Sequence, residues 1–248
     1  MKLFDTHTHL DFPMFDKDRE KIISKFPLEG ISKVVNVGCD KKSSIASIQL
    51  SEKYPFIYPS VGFHPHDAVN FDESFLKRIA TNKNVVAIGE IGLDYFRNLS
   101  PKNVQKKVFF KQVEIAKKLD LPIILHNRDA DNDCLEILKK FKDLKVVFHC
   151  FSSSLSFAKS VIELGFFISF TGNITFKNSR LFEVVEFVPL KKFFVETDSP
   201  YLSPRRGKRN SPLNLLLIVQ KIAQIKKLST KEIAKITYEN SLTFFGIS

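Results

Sequence analysis

No run of about 18 apolar residues occurs anywhere in the 248-residue chain, so a membrane-spanning helix is not expected. The opening KLFDTHTHLDF places charges and histidines where the apolar core of an export signal would stand, and export is not expected either. Only three cysteines are present, Cys39, Cys134 and Cys150, far apart and without C-x-x-C spacing. That argues against a disulfide framework or a zinc ribbon and makes a reducing cytoplasm the expected location. Low-complexity stretches, linkers and sequence repeats are also missing, which suits one continuous domain over residues 1–248. Acidic residues are in deficit, 27 against 38 Lys and Arg, for a net charge of +11. Such a balance fits a polyanionic partner, because phosphate contacts are made by Lys and Arg. Many lysines, however, fall at solvent-facing helix positions (Lys106, Lys107, Lys117, Lys118, Lys139, Lys140) where they only solubilise. A local cluster of cations therefore carries more weight than the total.

What is present is 44% hydrophobic residues, enough for a substantial core. They gather in eight short β-branched and aromatic runs, at 2–7, 31–38, 56–62, 85–92, 121–126, 144–150, 165–170 and 191–198. Near-continuous apolar runs of this length mark strands buried on both faces, as in a parallel sheet. Helical stretches separate them. The stretch after Ser100 has a plausible cap there, Pro101 at the first helical position, and Val104, Val108, Ile115 and Leu119 at helical spacing. A second Ser-Pro start stands at Ser211 and Pro212; Ser229 and Glu232 match a capping box, and Gly246 is a fitting terminator. Eight alternating strand–helix units predict an α/β fold, a (β/α)8 TIM-like barrel in a single domain.

Histidine is scarce, six residues in all, and two of them sit together in FDTHTHLD. On a strand, His7 and His9 point to the same face. His64 follows the third run, His126 ends the fifth and His149 the sixth; Glu90 lies near the end of the fourth and Asp198 ends the eighth. Barrel chemistry gathers at the C-terminal ends of strands. Five of the six histidines fall at such ends, and His66 lies two residues beyond one. Burying that many polar groups costs several kcal/mol unless something coordinates them, and a metal supplies the compensation.

These residues resemble the TatD family of metal-dependent deoxyribonucleases in the amidohydrolase superfamily. The matching stretches are FDTHTHLD, VGFHPHD, IGEIGLDYF, LPIILHNRDAD, HCFSSS, ISFTGNITFKN, ETDSPYLSP, RGKRN and YEN, from residue 4 to residue 240. The resemblance implies two divalent ions: His7, His9, Glu90 and Asp198 would hold one, and Glu90, His126 and His149 the other, with Glu90 bridging. His64 would face the substrate, and Asp198 would act as general base or proton shuttle. Asp5, on the face of His7 and His9, would orient an imidazole or simply be paired to solvent. Mg²⁺ or Mn²⁺ is the expected working ion, with Zn²⁺ an occupant or inhibitor, since nitrogen and oxygen donors are mixed. Compared with the family pattern, the stretch between ETDSPYLSP and RGKRN is shortened, and Ser153 stands where glycine is common.

The local cation cluster is RRGKRN, with Arg205, Arg206, Lys208 and Arg209 in six positions. It follows the eighth strand and reads as a phosphate-positioning loop, with His64 and Arg128 nearer the scissile group. Tyr95, Phe96 and Phe151 follow strand ends and are read first as packing, second as surfaces for base stacking. Two metals clamping a phosphodiester imply DNA hydrolysis, and the resemblance adds 3′-to-5′ exonuclease action on single-stranded or frayed ends. A superfamily deacylase acting on a D-aminoacyl-tRNA ester, or on a small amide or lactone, is the first rival. Glu90 in place of a carboxylated lysine on the fourth strand favours the nuclease. A non-catalytic nucleic-acid-binding protein is the second rival, opposed by the complete set of ligand types.

Overall fold

All eight apolar runs form strands in the computed structural model, which describes residues 1–247. They are β1 Leu3–Thr8, β2 Ile31–Val37, β3 Ile57–Val61, β4 Ala87–Asp94, β5 Ile123–Arg128, β6 Val146–Phe148, β7 Phe167–Phe170 and β8 Phe193–Val195. The helices between them are α1 Arg19–Ile23, α2 Lys41–Lys53, α3 Glu73–Ile79, α4 Lys102–Leu119, α5 Asp131–Leu138, α6 Leu155–Glu163 and α7 Phe182–Phe187, and α8 Leu215–Lys226 and α9 Thr230–Phe245 follow the last strand. The strands make one sheet in chain order, and a parallel bridge from Thr8 to Ser199 joins the segment after β8 to β1. This is the (β/α)8 barrel expected from the pattern. Among the described residues no helix is long and apolar enough to cross a membrane.

The chain divides into two compact units, residues 1–36 with 150–248, and residues 37–149. In the first, α9 packs against β1 and β8, where its buried Phe244 and Phe245 meet Phe194 and Phe245 also meets Phe4. Phe194 meets Phe244 with ring centroids 5.0 Å apart and Phe167 at 5.1 Å, the spacing of favourable aromatic pairs. The capping box at Ser229 and Glu232 forms, and Gly246 ends α9 in the left-handed conformation. The Ser211–Pro212 start opens a single 3-10 turn, Pro212–Asn214, before α8 begins at Leu215.

In the second unit α4 lies along β4. Its inward face is partly polar. Val104 and Leu119 are only half-buried, whereas Gln105 and Gln112 are buried beside Val108, Phe109, Val113, Ile115 and Ala116. Both amides serve the ends of neighbouring strands. Gln112 accepts from the Phe63 amide at 2.8 Å and donates to the Phe63 carbonyl at 2.9 Å. Gln105 does the same for Asp94, at 2.8 and 3.1 Å. Ser100 does not cap this helix, which has Pro101 at its N-cap. Its hydroxyl instead donates to the His66 carbonyl and accepts from the Val69 amide. A fixed tertiary partner outcompetes the local cap because the Ser100 side chain is fully buried.

Candidate metal centre

In the first unit, β1 carries His7 and, one residue past its end, His9. The backbone sets their meeting with Asp198: the Asp198 amide donates to the His7 carbonyl at 2.9 Å, and the His9 amide to the Ser199 carbonyl at 2.8 Å. Asp198 has φ +51°, a left-handed conformation that aspartate tolerates better than most residues, so the chain turns just as its carboxylate is presented. His7 Nε2 and His9 Nε2 lie 3.2 Å apart, and Asp198 Oδ1 lies 3.8 and 3.6 Å from them. Ligand atoms about 2.0–2.2 Å from a common ion are separated by roughly 2.8–3.6 Å. Two of the three separations fall in that range and the His7–Asp198 one lies just beyond it, so the group could hold a divalent cation after a small closing of the Asp198 carboxylate.

The residues around this group hold its backbone. Asp5 accepts from the Thr197 amide at 2.8 Å, the Thr197 hydroxyl at 2.6 Å and the His7 amide at 3.4 Å. Its role is to fix the strand ends carrying His7 and Asp198. Of the two expectations, pairing to solvent is excluded by its complete burial, and its hydrogen bonds go to backbone and Thr197 rather than to an imidazole. Burial pushes its carboxyl up to about 8, against the pull of the Thr197 and His7 donors. Asn210, the last residue of RGKRN, donates to the Thr197 carbonyl at 2.8 Å. Glu196 accepts from the Cys150 amide at 2.7 Å. Thr197, Asn210 and Glu196 were not singled out from sequence; all three stand inside the motifs ETDSPYLSP and RGKRN, which was the available signal.

In the second unit, Glu90 Oε1 has three imidazole nitrogens around it. His126 Nδ1 and His149 Nε2 each lie 2.8 Å away and His64 Nε2 3.4 Å. Burial works to raise the Glu90 carboxyl, but the His149 and His64 imidazoles and the His126 hydrogen bond outweigh it and hold it well below the usual range. The glycines of IGEIG make this possible. Gly92 is the β-ladder partner of His126, has φ +139°, and a Cβ on it would come within 2.0 Å of the His126 carbonyl oxygen. Only glycine allows that approach.

The tautomer of His64 follows from its surroundings. Its Nδ1 accepts the His66 amide at 3.1 Å, so in the neutral ring the proton sits on Nε2, facing Glu90. Burial pulls its pKa down to about 4, despite the Glu90 carboxylate, so at neutral pH His64 is an uncharged donor. His126 is flanked on both sides, with Asp94 Oδ2 3.2 Å from its Nε2. Burial lowers its pKa, yet the Asp94 and Glu90 hydrogen bonds reverse the shift and raise it. Asp94 also lies 2.8 Å from His66 Nε2. Burial opposes its ionisation, but hydrogen bonds from His126, His66 and the Arg97 amide keep its carboxyl far below the ordinary range. Sequence reading missed Asp94, although it stands in IGEIGLDY four residues after Glu90.

The expected substrate residues separate into kinds. Arg205, Arg206 and Lys208 are exposed, and among the described residues their side chains make no ion pair. Arg209 is engaged: it donates to Asp18 at 2.6 Å and to the Met14 carbonyl, and its guanidinium sits 4.5 Å from the Phe15 ring centroid. Arg128 is exposed and lies over the Phe96 ring.

Each unit thus gathers imidazoles and a carboxylate at strand ends, the donor types of a metal-dependent hydrolase. The family model described as "TatD related DNase" matches residues 4–246. A Bacillus subtilis protein named as the uncharacterized metal-dependent hydrolase YabD is 41% identical, over 99% of this chain and all of its own length. The 3'-5' ssDNA/RNA exonuclease TatD of Escherichia fergusonii is 32% identical, over 99% of this chain and all of its own. The crystal structure of YJJV, a TatD homologue from Escherichia coli, superposes with a TM-score of 0.93 at 28% identity, covering 99% of this chain and 98% of that one. The chain belongs to the TatD-related DNase family.

Proposed function

We propose that this hydrolase cleaves phosphodiester bonds of DNA in the cytoplasm, as a 3′-to-5′ exonuclease on single-stranded or frayed ends. The reading is carried by the loop after β8, where the exposed Arg205 and Arg206 follow Asp198 by seven and eight residues. It draws further support from the relative named as an exonuclease. Each ligand group would hold one divalent ion, His7, His9 and Asp198 the first and Glu90, His126 and His149 the second, with Mg²⁺ or Mn²⁺ the favoured ions and Zn²⁺ the substitute. Such ions supply Lewis-acid activation of water and neutralise phosphate charge. Asp198 accepts the proton of the attacking water. His64, neutral with its Nε2 proton toward Glu90, faces the substrate and takes no proton itself. Arg128, Arg205, Arg206 and Lys208 position phosphates; Arg209 contributes by holding the loop.

The test is cleavage of 3′- and 5′-labelled single-stranded DNA, with an RNA of the same sequence, in Mg²⁺ or Mn²⁺. The native protein is compared with the His126→Ala and Asp198→Asn variants. The expected outcome is metal-dependent shortening from the 3′ end, reduced about a hundredfold or more in either variant. An absence of metal-dependent cleavage, or equal cleavage by the variants, rejects the proposal.

A further inference from the structure

Three aromatic side chains follow strand ends, and the structure separates them. The Tyr95 hydroxyl donates to Asp133 at 2.6 Å, and the Lys102 ammonium lies 4.5 Å from its ring centroid. Phe151 is 3% exposed and stacks near Phe157 with centroids 6.1 Å apart. These two are packing, as read from the sequence. Phe96 is 61% exposed, and its one ring partner among the described residues is the guanidinium of Arg128, 3.9 Å from the centroid.

An exposed phenylalanine contributes little to the fold and leaves apolar surface in water. Its placement is nevertheless well defined. Phe96 stands two residues past Asp94, the end of β4, and Arg128 two residues past His126, at the end of β5. Asp94 and Arg128 are ladder partners, and the Tyr95 amide donates to the Arg128 carbonyl at 2.9 Å. The turn that presents the ring is tied down, since Asp94 Oδ1 accepts the Arg97 amide at 2.8 Å. Both members of the pair therefore hang from the two strands that carry Glu90 and His126.

We propose that Phe96 and Arg128 form a stacking platform for an unpaired nucleobase of the strand that the centre hydrolyses, an inference that rests on the phosphodiesterase reading above. Every base offers a π-face to an aromatic ring or a guanidinium plane, so such a platform tolerates sequence and requires an unstacked strand. The occupant is a nucleotide and not an apolar peptide, because exposed Arg97 and Arg128 flank the ring. That charge complements a phosphate backbone and penalises an apolar surface.

The experiment measures binding by fluorescence anisotropy in the Asp198→Asn background, where cleavage is slowed, with the metal left out so that the oligomers stay intact. It uses a single-stranded oligothymidylate and an oligomer of equal length with abasic residues at its last few 3′ positions. Adding Phe96→Ala is expected to weaken binding of the intact oligomer about tenfold (~1.4 kcal/mol) and of the abasic one less than about twofold. Phe96→Trp is expected to restore the intact oligomer. Equal losses on both oligomers, or no loss on either, overturn the platform while leaving the phosphodiesterase reading in place. If the folded Asp198→Asn protein binds neither oligomer, and the native protein cleaves neither, that reading fails and the platform with it.

Discussion

Replacing Asp94 by asparagine keeps the size of a buried side chain and removes its charge. In the native protein Asp94 Oδ2 sits 2.8 Å from His66 Nε2 and 3.2 Å from His126 Nε2. Its hold on Nε2 turns the other nitrogen of His126, Nδ1, toward Glu90 at 2.8 Å. A carboxylate in that position fixes both the tautomer and the ring plane of a ligating histidine. A hydrogen bond to a charged group is worth about 1.5–3 kcal/mol, and the 3.2 Å separation puts the His126 contact at the lower end. Asp94→Asn should therefore weaken metal binding about tenfold, or ~1.4 kcal/mol. Asparagine still offers an oxygen to the Arg97 amide, so the turn should persist. Calorimetric titration of metal-stripped protein with Mn²⁺ measures the loss. The decisive comparison is a double-mutant cycle with His126→Ala. If Asp94 acts through His126, the double variant binds no more weakly than His126→Ala alone. Additive losses, or an unchanged affinity in Asp94→Asn, would refute the positioning role.

The arginine loop allows two further checks. Arg205→Ala with Arg206→Ala should lower the slope of log Kd against log salt for single-stranded DNA by about 0.7 per lost phosphate contact, and an unchanged slope contradicts their role. Arg209→Ala should instead lower stability in urea by roughly 1 kcal/mol, since it loses a part-exposed ion pair and a cation–π contact, while moving the slope little. Adding Mn²⁺ at about a hundred times its Kd should stabilise the native protein by ~2.7 kcal/mol, seen as a rise in Tm by scanning calorimetry. The rise should shrink in Glu90→Gln, and an equal rise there argues against Glu90 as a ligand.

The barrel was legible because its signals are local. A strand buried on both faces needs an unbroken apolar run, and eight such runs, each bounded by capping or turn residues, imply the alternation directly. Their limits moved by up to three residues, as with β6, where 144–150 shortens to Val146–Phe148. The polar part of the inward face of α4 was not legible, because the spacing of apolar residues cannot say whether a buried position is met by side chains or by unpaired backbone groups. Gln105 and Gln112 meet the latter, at Asp94 and Phe63. Ser100 was misread for the same reason.

The sequence by itself determined that residue types able to bind metal stand within or just beyond the ends of apolar runs: His7, His9, Glu90, His126, His149 and Asp198. That placement is a property of neighbouring residues. Only the tertiary structure decided which atoms face one another. It set His64 Nδ1 against the His66 amide, Asp94 between two imidazoles, Arg209 on Asp18, and Phe96 in solvent under Arg128. Each of these outcomes depends on the direction and burial of a side chain relative to a partner from another segment or turn, and residue order carries no such information.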